Sequence, residues 1–370
     1  MRPDITNGYR LSEERKLLDA EIRIVHEPTP DWNYAHHPFL AWFRDRFYLF
    51  FSLGRHQEDD VGQRVMVCTS ADAVHWSPAR ELAAPERAET GVLIASGPWA
   101  AETRLNAYAL CFDYRPEVLT GGRRRPGDAG RERWGFRCFT TTDGETFTET
   151  APPEAFGGNM PVQRLRSGRL FSCGSRTSAW TDDPEGLTGW HPTEVFPEGW
   201  RSPEAGAEPH PLLPGEVGNH QVGLCEGSFL QDPDGRLLML LRSGTDHLWA
   251  SESGDDGETW TLPEPTDFTD NRTKFSLGRL PDGRYYYIGT PDPFPPRFRH
   301  VLALYLSRDG RNFDTHYLLA NRQFKGRWPG LDKNGIYGYP TALVRDGRLH
   351  VTFSINKEMI AVTSVALKDL

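Results

Sequence analysis

Apolar segments separated by tight polar turns recur along the whole chain. Each copy begins with an apolar, strand-like segment, turns at a short polar sequence and returns as a second apolar segment. Five copies are clear, at residues 39–52, 162–174, 227–243, 275–290 and 341–354. Their Asp-Gly-Arg and Ser-Gly-Arg turns supply the positive φ that a tight hairpin needs, and their flanks are aromatic and β-branched. The pattern predicts repeated β-hairpins, and the spacing implies a sixth at about 93–113 with an irregular turn.

A second motif, Ser/Thr-x-Asp followed by an aromatic residue, recurs at the same place in several units. Its copies lie at residues 70–76, 141–147, 253–260 and 307–313. An Asp in a turn accepts backbone N–H bonds, and the aromatic ring fills the space between neighbouring sheets. We therefore interpret these aspartates as structural.

Two hairpins make one four-stranded blade, and the repeat of about 50 residues is typical of a β-propeller. The sequence predicts an all-β, six-bladed propeller that forms a single domain over residues 1–370. The predicted blades, numbered 1 to 6, span about 36–77, 90–148, 158–192, 220–261, 272–314 and 335–367. Residues 20–27 should pair with the last blade and close the ring, which removes exposed sheet edges. A seven-bladed propeller remains an alternative, because the Pro-rich stretch 192–219 is long. We assign this stretch as a loop. A short stretch at 11–20 is the one segment with helical periodicity.

Composition excludes several classes of protein. The net charge is −9, which is unfavourable for binding nucleic acid. No apolar run reaches the length of a membrane span. The five cysteines form no C-x-x-C pair, so neither a disulfide framework nor a thiolate metal site is expected. Because the N-terminus lacks an apolar leader core, we expect a cytoplasmic protein, or a secreted or periplasmic one if a leader has been removed. No cofactor motif occurs, and we expect no cofactor.

The repeats resemble the Asp-box repeats of the sialidase-like propellers over most of residues 36–367. Glu226 and Arg242 flank a hairpin similar to the sialidase blade that carries a buried Glu and a carboxylate-binding Arg. Arg299 is similar to the next arginine of the sialidase triad, Tyr339 is placed like the nucleophilic Tyr, and Asp60 like the acid/base Asp. The resemblance implies that Glu226 is the base for Tyr339, that Asp60 protonates the leaving group and that the arginines hold a carboxylate.

One position departs from that family pattern. The first arginine of the triad normally precedes a proline at the start of the first blade, and here His36 and His37 precede Pro38. Two arginines with a histidine still suit an acidic sugar, but in a different geometry. Sialic acid itself is therefore in question as the substrate.

Each of these residues also has an interpretation that involves no catalysis. Glu226 inside an apolar strand must be paired, and a purely structural Glu–Arg pair would satisfy it. An unperturbed tyrosine has a pKa near 10, so Tyr339 needs a base to become a nucleophile. Tyr337, two residues away on the same face, is an alternative nucleophile. Asp60 lies in an acidic loop, where Asp59 is an equally good acid.

Three histidines and a lysine complete the candidate set. His36 and His37 precede Pro38, so their extended backbone should point them to opposite faces, and only one should line the funnel. His220 is a further acid or base candidate, and Lys274 a candidate for binding substrate. No metal-binding spacing such as H-x-x-x-H occurs, so we expect no metal.

The leading hypothesis is a sialidase-like exo-glycosidase that cleaves the glycosidic bond of a carboxylate-bearing sugar. Its expected partner is an acidic oligosaccharide or polysaccharide. The first alternative is a lyase that performs β-elimination at a uronic acid, with Tyr339 and a histidine as base and acid. The second is a non-catalytic glycan-binding propeller in which loop aromatics such as Trp32, Trp99, Trp328 and Phe324 stack on sugars.

Overall fold

Six antiparallel sheets form a six-bladed β-propeller in the computed structural model. The structure describes residues 3–121, 123–124, 130–198, 200 and 223–370. In each blade the strands follow one another outward from the centre, and the innermost strands of blades 4, 5, 6, 1 and 2 contact one another in that order around the axis. The predicted fold class and blade number are therefore confirmed.

Each blade contains at least four strands, named from the innermost outward. Blade 1 has Tyr34–Phe43, Arg46–Gly54, Arg64–Ser70 and Arg80–Ala83; blade 2 has Gly91–Ala95, Leu105–Tyr114, Arg131–Thr141 and Thr148–Thr150, with Trp99–Ala100 beside the second strand. Blade 3 has Gln163–Arg164, Leu170–Ser172, Thr177–Thr181 and His191–Glu194; blade 4 has Cys225–Gln231, Leu237–Arg242, His247–Ser253 and Glu264–Thr269. Blade 5 has Ser276–Arg279, Tyr285–Gly289, Leu302–Ser307, Thr315–Ala320 and Lys16–Leu17; blade 6 has Tyr337–Arg345, Arg348–Ile355, Met359–Ala366 and Arg23–His26. A small hairpin of Leu119–Thr120 and Arg123–Arg124 leaves blade 2, and the short 3₁₀ helices are Ser12–Glu14, Pro116–Val118 and Leu367–Asp369.

The ring closes through the N-terminal strand. Arg23–His26 pairs antiparallel with Met359–Ala366, so both ends of the chain contribute to blade 6. This pairing confirms the predicted role of residues 20–27. It covers an edge that would otherwise expose unpaired backbone groups.

Two local expectations differ from the structure. The helical periodicity at 11–20 yields one 3₁₀ turn, after which Lys16–Leu17 adds in parallel to blade 5 and Leu18 is buried in the core. Backbone pairing at a sheet edge prevails because so short a helix is marginal in water. The fourth strands of blades 1, 4 and 5 lie beyond the predicted limits, and those of blades 2 and 3 extend two residues past them. The predicted limits of blades 1, 2, 4 and 5 end just after the Asp boxes, which the fourth strands follow.

The meander gives the propeller two chemically different faces. We call the upper face the one where innermost strands begin and the turns between second and third strands lie. The Asp boxes join third and fourth strands, so they lie on the opposite, lower face. There Asp255 accepts hydrogen bonds from the Ser253 hydroxyl at 2.8 Å and from the Thr259 amide at 2.9 Å. These bonds support the structural interpretation of the boxes.

The core consists of apolar side chains between neighbouring blades. A cluster between blades 5 and 6, for example, packs Ile288, Leu304, Val351 and Phe353, all fully buried. Within the described residues, no helix has the length and apolar character needed to cross a bilayer. The rigid packing fixes the starts of the innermost strands, where the candidate site lies.

Candidate active site

Three candidate residues begin innermost strands at β-bulges. His37, Glu226 and Tyr339 have φ angles of 53°, 38° and 54°, which is the left-handed region that non-glycine residues rarely adopt. Each lies where strand register shifts, in blades 1, 4 and 6 respectively. A bulge re-aims the side chain, and a left-handed non-glycine residue costs about 1–3 kcal/mol. Three such residues at equivalent positions around one axis make the upper end of the funnel the candidate functional site.

Tyr339 lies at the centre of a charged network. Its hydroxyl accepts a hydrogen bond from Arg242 Nη1 at 3.1 Å and donates one to the Glu226 carboxylate. Arg242 Nη1 also donates to Glu226 Oε2. Blades 4 and 6 thus bring together the three residues that the sequence analysis grouped as nucleophile, base and carboxylate binder.

The electrostatics of this network separate the roles of Tyr339 and Glu226. Burial, followed by the charge of Glu226, raises the pKa of Tyr339 well above its usual value. Burial also opposes ionisation of Glu226, yet the charge of Arg242 and the hydrogen bond from Tyr339 outweigh it and lower its pKa. At neutral pH the tyrosine is therefore protonated and the glutamate ionised. That is the starting state for proton transfer from a hydroxyl to a carboxylate.

His36 and His37 both contact Tyr339, contrary to the expectation that they point to opposite faces. Their ring centroids lie 4.1 and 5.3 Å from that of Tyr339, and 4.5 Å from each other. The expectation was wrong because the bulge with the left-handed His37 breaks the alternation of the strand. Gly338 makes room for His36, since a Cβ there would lie 3.1 Å from His36 Cε1.

Both imidazoles are neutral. Their Nδ1 atoms hydrogen-bond to hydroxyls, His36 to Ser354 at 2.7 Å and His37 to Ser52 at 3.2 Å. Burial, together with the charges of Lys357 and Lys274, lowers the pKa of His36 far below its usual value and that of His37 to about 3. They can orient and pack, and can accept or donate a neutral hydrogen bond.

Three further cations surround Tyr339. Lys274 is buried, with its Nζ 4.3 Å from the ring centre of Phe39 and 5.2 Å from that of Tyr339, and burial lowers its pKa to about 8. Lys357 Nζ donates to Glu58 Oε2 at 2.5 Å. Arg299 is 2% exposed, and burial and the charge of Arg242 lower its pKa to about 10.

Arg299 has unused hydrogen-bonding capacity. Its Nη2 donates to the Arg272 carbonyl at 3.0 Å, whereas Nε and Nη1 are buried without a partner among the described residues. A buried donor without an acceptor is costly. The candidate arginines thus differ: Arg242 binds Glu226 and Tyr339 through Nη1, whereas Arg299 is buried with two donors that have no partner among the described residues.

Of the two neighbouring acid candidates, Asp59 lines the cavity and Asp60 does not. Asp60 lies outside the cavity and accepts the His56 amide at 3.0 Å. Asp59 lines the cavity, accepts from Arg131 Nη2 at 2.5 Å, and has a left-handed φ of 59°. Burial exceeds the effect of Arg131 and raises the pKa of Asp59 to about 6. A carboxyl group that is partly protonated near neutral pH suits a general acid.

These side chains enclose a cavity of about 210 Å³ at the centre of the upper face. Its charged and polar lining comes from blades 1, 4, 5 and 6 and from the loop before blade 3; the lining includes His37, Glu58, Asp59, Asn159, Glu226, Lys274 and Tyr339. Ile94, Leu110 and Phe136 of blade 2 supply an apolar wall. The cavity is small, with charged groups of both signs on one side and apolar residues on the other.

Tyr337 does not line this cavity, whereas Glu58, which the sequence analysis did not name, lines it and is bound by Lys357. Tyr337 packs in the core between blades 5 and 6 and donates to the Arg322 carbonyl at 2.7 Å, because the bulge separates it from Tyr339. His220 lies outside the described residues. Glu58 and Lys357 were missed, although both lie in turns after a second strand, which the propeller topology places on the upper face.

His36, His37 and Glu58 also offer ligand atoms within 4.8 Å of one another. Glu58 is already paired with Lys357, and Lys274 and Lys357 both lower the pKa values of the histidines by repelling positive charge. A divalent cation would meet the same repulsion. This donor set therefore does not fit a metal ion.

Comparison with family models agrees with this architecture. A model described as a BNR repeat-like domain matches residues 126–351, more than half of the chain. A second model, described as an N-terminal beta propeller, matches residues 20–108. No curated protein matches the sequence closely enough to count as a relative.

Solved structures with the same fold include sialidases. A Trypanosoma rangeli sialidase in complex with sialic acid aligns with a TM-score of 0.62 at 12% identity, over 95% of this chain and 59% of that one. A Ruminococcus gnavus intramolecular trans-sialidase in complex with oseltamivir carboxylate aligns with a TM-score of 0.61 at 12% identity, over 94% and 97% of the two chains. A Dyadobacter fermentans protein of unknown function aligns with a TM-score of 0.62 at 16% identity, over 93% and 99%.

Identities this low show a shared fold and no more. The chain also spans only part of some of these proteins, including 34% of another chain titled sialidase. None of these four structures is described as a lyase, so they give the lyase alternative no support.

Proposed function

The chain belongs to the family of BNR repeat-like domains, and from that premise and the geometry of the cavity we propose that it is an exo-acting glycoside hydrolase for a carboxylate-bearing sugar. One observation carries the proposal. The Tyr339 hydroxyl lies between the Glu226 carboxylate and the Arg242 guanidinium beside a cavity that Tyr339 and Glu226 both line. A tyrosine needs such a base to become a nucleophile, and tyrosine nucleophiles are the recognised exception among retaining glycosidases.

In the first step Glu226 takes the hydroxyl proton while Tyr339 Oη attacks the anomeric carbon. The bond between that carbon and the leaving oxygen breaks, and Asp59 gives its proton to the leaving oxygen. The product of this step is a covalent adduct in which an aryl glycoside bond joins the sugar to Tyr339. Arg242 stabilises the negative charge that develops on Tyr339 Oη during the proton transfer.

In the second step the ionised Asp59 takes a proton from water, which attacks the same carbon. The bond to Tyr339 breaks, and the phenolate recovers its proton from Glu226. Two displacements at one carbon retain the anomeric configuration. The neutral imidazoles of His36 and His37 pack against the Tyr339 ring and hold it in place throughout.

Lys274 is the residue best placed to receive the substrate carboxylate. It lines the cavity, whereas Arg299 does not, and it lies on the same side as Tyr339. Arg242 and Arg299 are further positive charges near Tyr339, and with Lys274 they oppose the negative charges of Glu226 and Glu58 there. Lys274 thus supplies a positive charge in a site where His37 stands in place of the first arginine.

The proposal is tested by incubating the protein with methyl glycosides of sialic acid, of other keto-acid sugars and of uronic acids, and with their neutral counterparts. We expect release of the free acidic sugar from at least one acidic glycoside, and none from the neutral counterpart. The Tyr339→Phe protein serves as the matched control, because it lacks one oxygen atom. Equal release from the neutral counterpart, or release that survives in Tyr339→Phe, would refute the proposal.

A further inference from the structure

Lys274 differs from the other buried lysines near the candidate active site. It lines the cavity and is 2% exposed, yet its Nζ has no hydrogen bond and no ion pair with any residue that the structure describes. Lys357 Nζ, by contrast, binds Glu58, and Lys333 Nζ lies 3.2 Å from Glu358. Burial of an amine that has no adjacent carboxylate favours its neutral form.

Two aromatic rings lie against this amine. Lys274 Nζ is 4.3 Å from the ring centre of Phe39 and 5.2 Å from that of Tyr339. Such contacts favour the charged form, whereas burial opposes it and lowers the pKa of Lys274 to about 8. About one amine in ten is therefore neutral at pH 7, compared with about one in 2,500 for an ordinary lysine with a pKa of about 10.4.

The loop that carries Lys274 is held in place by its own backbone. All five residues of 270–274 are buried. The Asp270 carboxylate accepts the Thr273 amide at 3.0 Å, and the Arg272 carbonyl accepts from Arg299 Nη2 at 3.0 Å. A nucleophile whose position is fixed in advance reacts faster than a mobile one, because less entropy is lost on the way to the transition state.

Glu226 is the group best suited to move a proton from this amine. Its carboxylate is ionised, lines the same cavity and interacts with the charge of Lys274. The other titratable groups that face Lys274 are uncharged at neutral pH; they are Cys173 after the second strand of blade 3, His36 and His37 of blade 1, and Tyr339 of blade 6. Lys274 therefore has a nearby base but no ion-pair partner, which is the arrangement of a nucleophilic lysine.

We infer that Lys274 forms a Schiff base with a small aldehyde or ketone that enters the cavity. The neutral amine attacks the carbonyl carbon, and one proton passes from the nitrogen through Glu226 to the carbonyl oxygen. The oxygen then leaves as water with the second proton of the nitrogen, and the C=N bond forms. The step exchanges one water molecule for one imine and consumes no oxidant or reductant.

This activity goes beyond hydrolysis and does not depend on it. The charged form of Lys274 is the one proposed to bind a substrate carboxylate, and the neutral form is the one that attacks a carbonyl group. Where the proposed function holds, the open-chain form of the released sugar is itself such a carbonyl compound. The hydrolase would then bind its own product covalently and reversibly.

Reductive trapping tests the inference on the native protein. Acetaldehyde, hydroxyacetone or pyruvate is added at pH 7 with sodium cyanoborohydride, which reduces an imine to a stable amine, and peptide mass spectrometry locates the adduct. For at least one of the three, we expect Lys274 to be modified at an initial rate about tenfold or more above that of the exposed Lys16, and the rate to saturate with carbonyl concentration. The buried but paired Lys357 is the matched control and should remain unmodified.

Two results would overturn the inference. One is the absence of an adduct on Lys274 with all three compounds. The other is modification that is no faster than at Lys16 and rises in proportion to concentration, since a residue without a binding site behaves in that way. The rate at Lys274 should also rise between pH 6 and pH 8 as the amine loses its proton, and a rate that is constant over this range would equally contradict it.

The Tyr339→Phe protein separates this inference from the proposed function. The variant keeps the ring beside Lys274 and loses the hydroxyl that hydrolysis requires, so trapping should continue while cleavage stops. If the native protein is trapped at Lys274 but cleaves no glycoside, the proposed hydrolase fails and the Schiff-base site stands. If it cleaves an acidic glycoside but is not trapped, only the Schiff-base site fails.

Discussion

Aspartate side chains have different roles on the two faces of the propeller. On the lower face, the Asp255 carboxylate is exposed and accepts hydrogen bonds from its own turn. Burial opposes ionisation of Asp255, but the hydrogen bonds together outweigh it and lower its pKa. On the upper face, Asp59 is buried, has one arginine partner, and has its pKa raised to about 6. A carboxylate thus serves as a structural hydrogen-bond acceptor where its own turn supplies the donors. It is suited to donate a proton where burial has the larger effect on its pKa.

Backbone geometry shows the same contrast. Turns of the lower face place glycine or a short turn residue at positive φ, for example Gly257 at 87° and Asp256 at 54°, and these residues lie outside the cavity. On the upper face the left-handed positions include His37, Glu226 and Tyr339, whose side chains line the cavity. Strain in functional side chains is a common feature of active sites, because it aims groups that a regular strand would turn away. The comparison predicts that substitutions on the upper face affect turnover and those on the lower face affect stability.

The largest expected effect is that of Tyr339→Phe. Removal of the hydroxyl takes away the nucleophile and leaves the ring contacts with His36 and His37 in place. We expect kcat to fall by about 10³-fold or more, with a change of only a few degrees in the melting temperature. Steady-state kinetics and thermal unfolding measure the two quantities. Normal turnover in this variant would contradict the assigned role.

Asp59→Asn should have the next largest effect, of about 10²–10⁴-fold on substrates with a poor leaving group. The leaving group of an aryl glycoside needs less protonation, so Asp59→Asn should slow hydrolysis of such a substrate far less. Because Asp59 must be protonated to act as the acid, kcat/KM of the native enzyme should fall as pH rises above about 6. This falling limb of the pH profile should be absent in Asp59→Asn.

Asp60→Asn is the control for that experiment. The Asp60 carboxylate lies outside the cavity and holds the His56 amide, so its replacement should leave the pH limb in place. If Asp60→Asn abolished the limb and Asp59→Asn did not, Asp60 would be the acid and the assignment from the structure would be wrong.

Lys274→Met should act on binding more than on chemistry. We expect KM for the acidic glycoside to rise about tenfold to a hundredfold, and much less change for the corresponding carboxamide. The pKa of Lys274 is lowered to about 8, so the lysine loses its charge as pH rises through 8 and the native KM should increase there. Lys274→Arg keeps its charge and should remove this increase. An equal rise in KM for acid and amide would contradict carboxylate recognition.

The smallest effect tests the lower face. Asp255→Ala removes hydrogen bonds to the Ser253 hydroxyl and the Thr259 amide, and water can replace part of them. We expect a loss of about 1 kcal/mol in the free energy of unfolding and unchanged kcat/KM. Denaturant unfolding and kinetics on the same preparation check both. A large loss of activity in the stable variant would show that the two faces are not separate.

Much of the fold was predictable from local sequence. Turn residues and alternating apolar strands specify hairpins, and their spacing specifies blades, as in Phe275–Thr290 with its Asp282-Gly283 turn. The convergence of Glu226, Arg242 and Tyr339 was predictable for the same reason, since a propeller places the starts of its inner strands on one axis. No assumption about side-chain direction was needed.

The directions of individual side chains near the site could not be predicted from the sequence. Strict alternation predicted that His36 and His37 diverge and that Tyr337 shares a face with Tyr339, and the bulges of blades 1 and 6 reverse both results. A bulge inserts one residue without a distinctive sequence sign, and every side chain around it changes direction. The choice between Asp59 and Asp60 depended on the same kind of one-residue difference.

The stereochemistry of the first-formed product tests the central claim most directly. Proton NMR recorded during hydrolysis of an acidic glycoside identifies the anomer that is released before mutarotation. A covalent adduct on Tyr339 requires two displacements, so the account predicts that the product first has the configuration of the substrate. Release of the opposite anomer would mean direct attack by water, and Tyr339 could not then be the nucleophile.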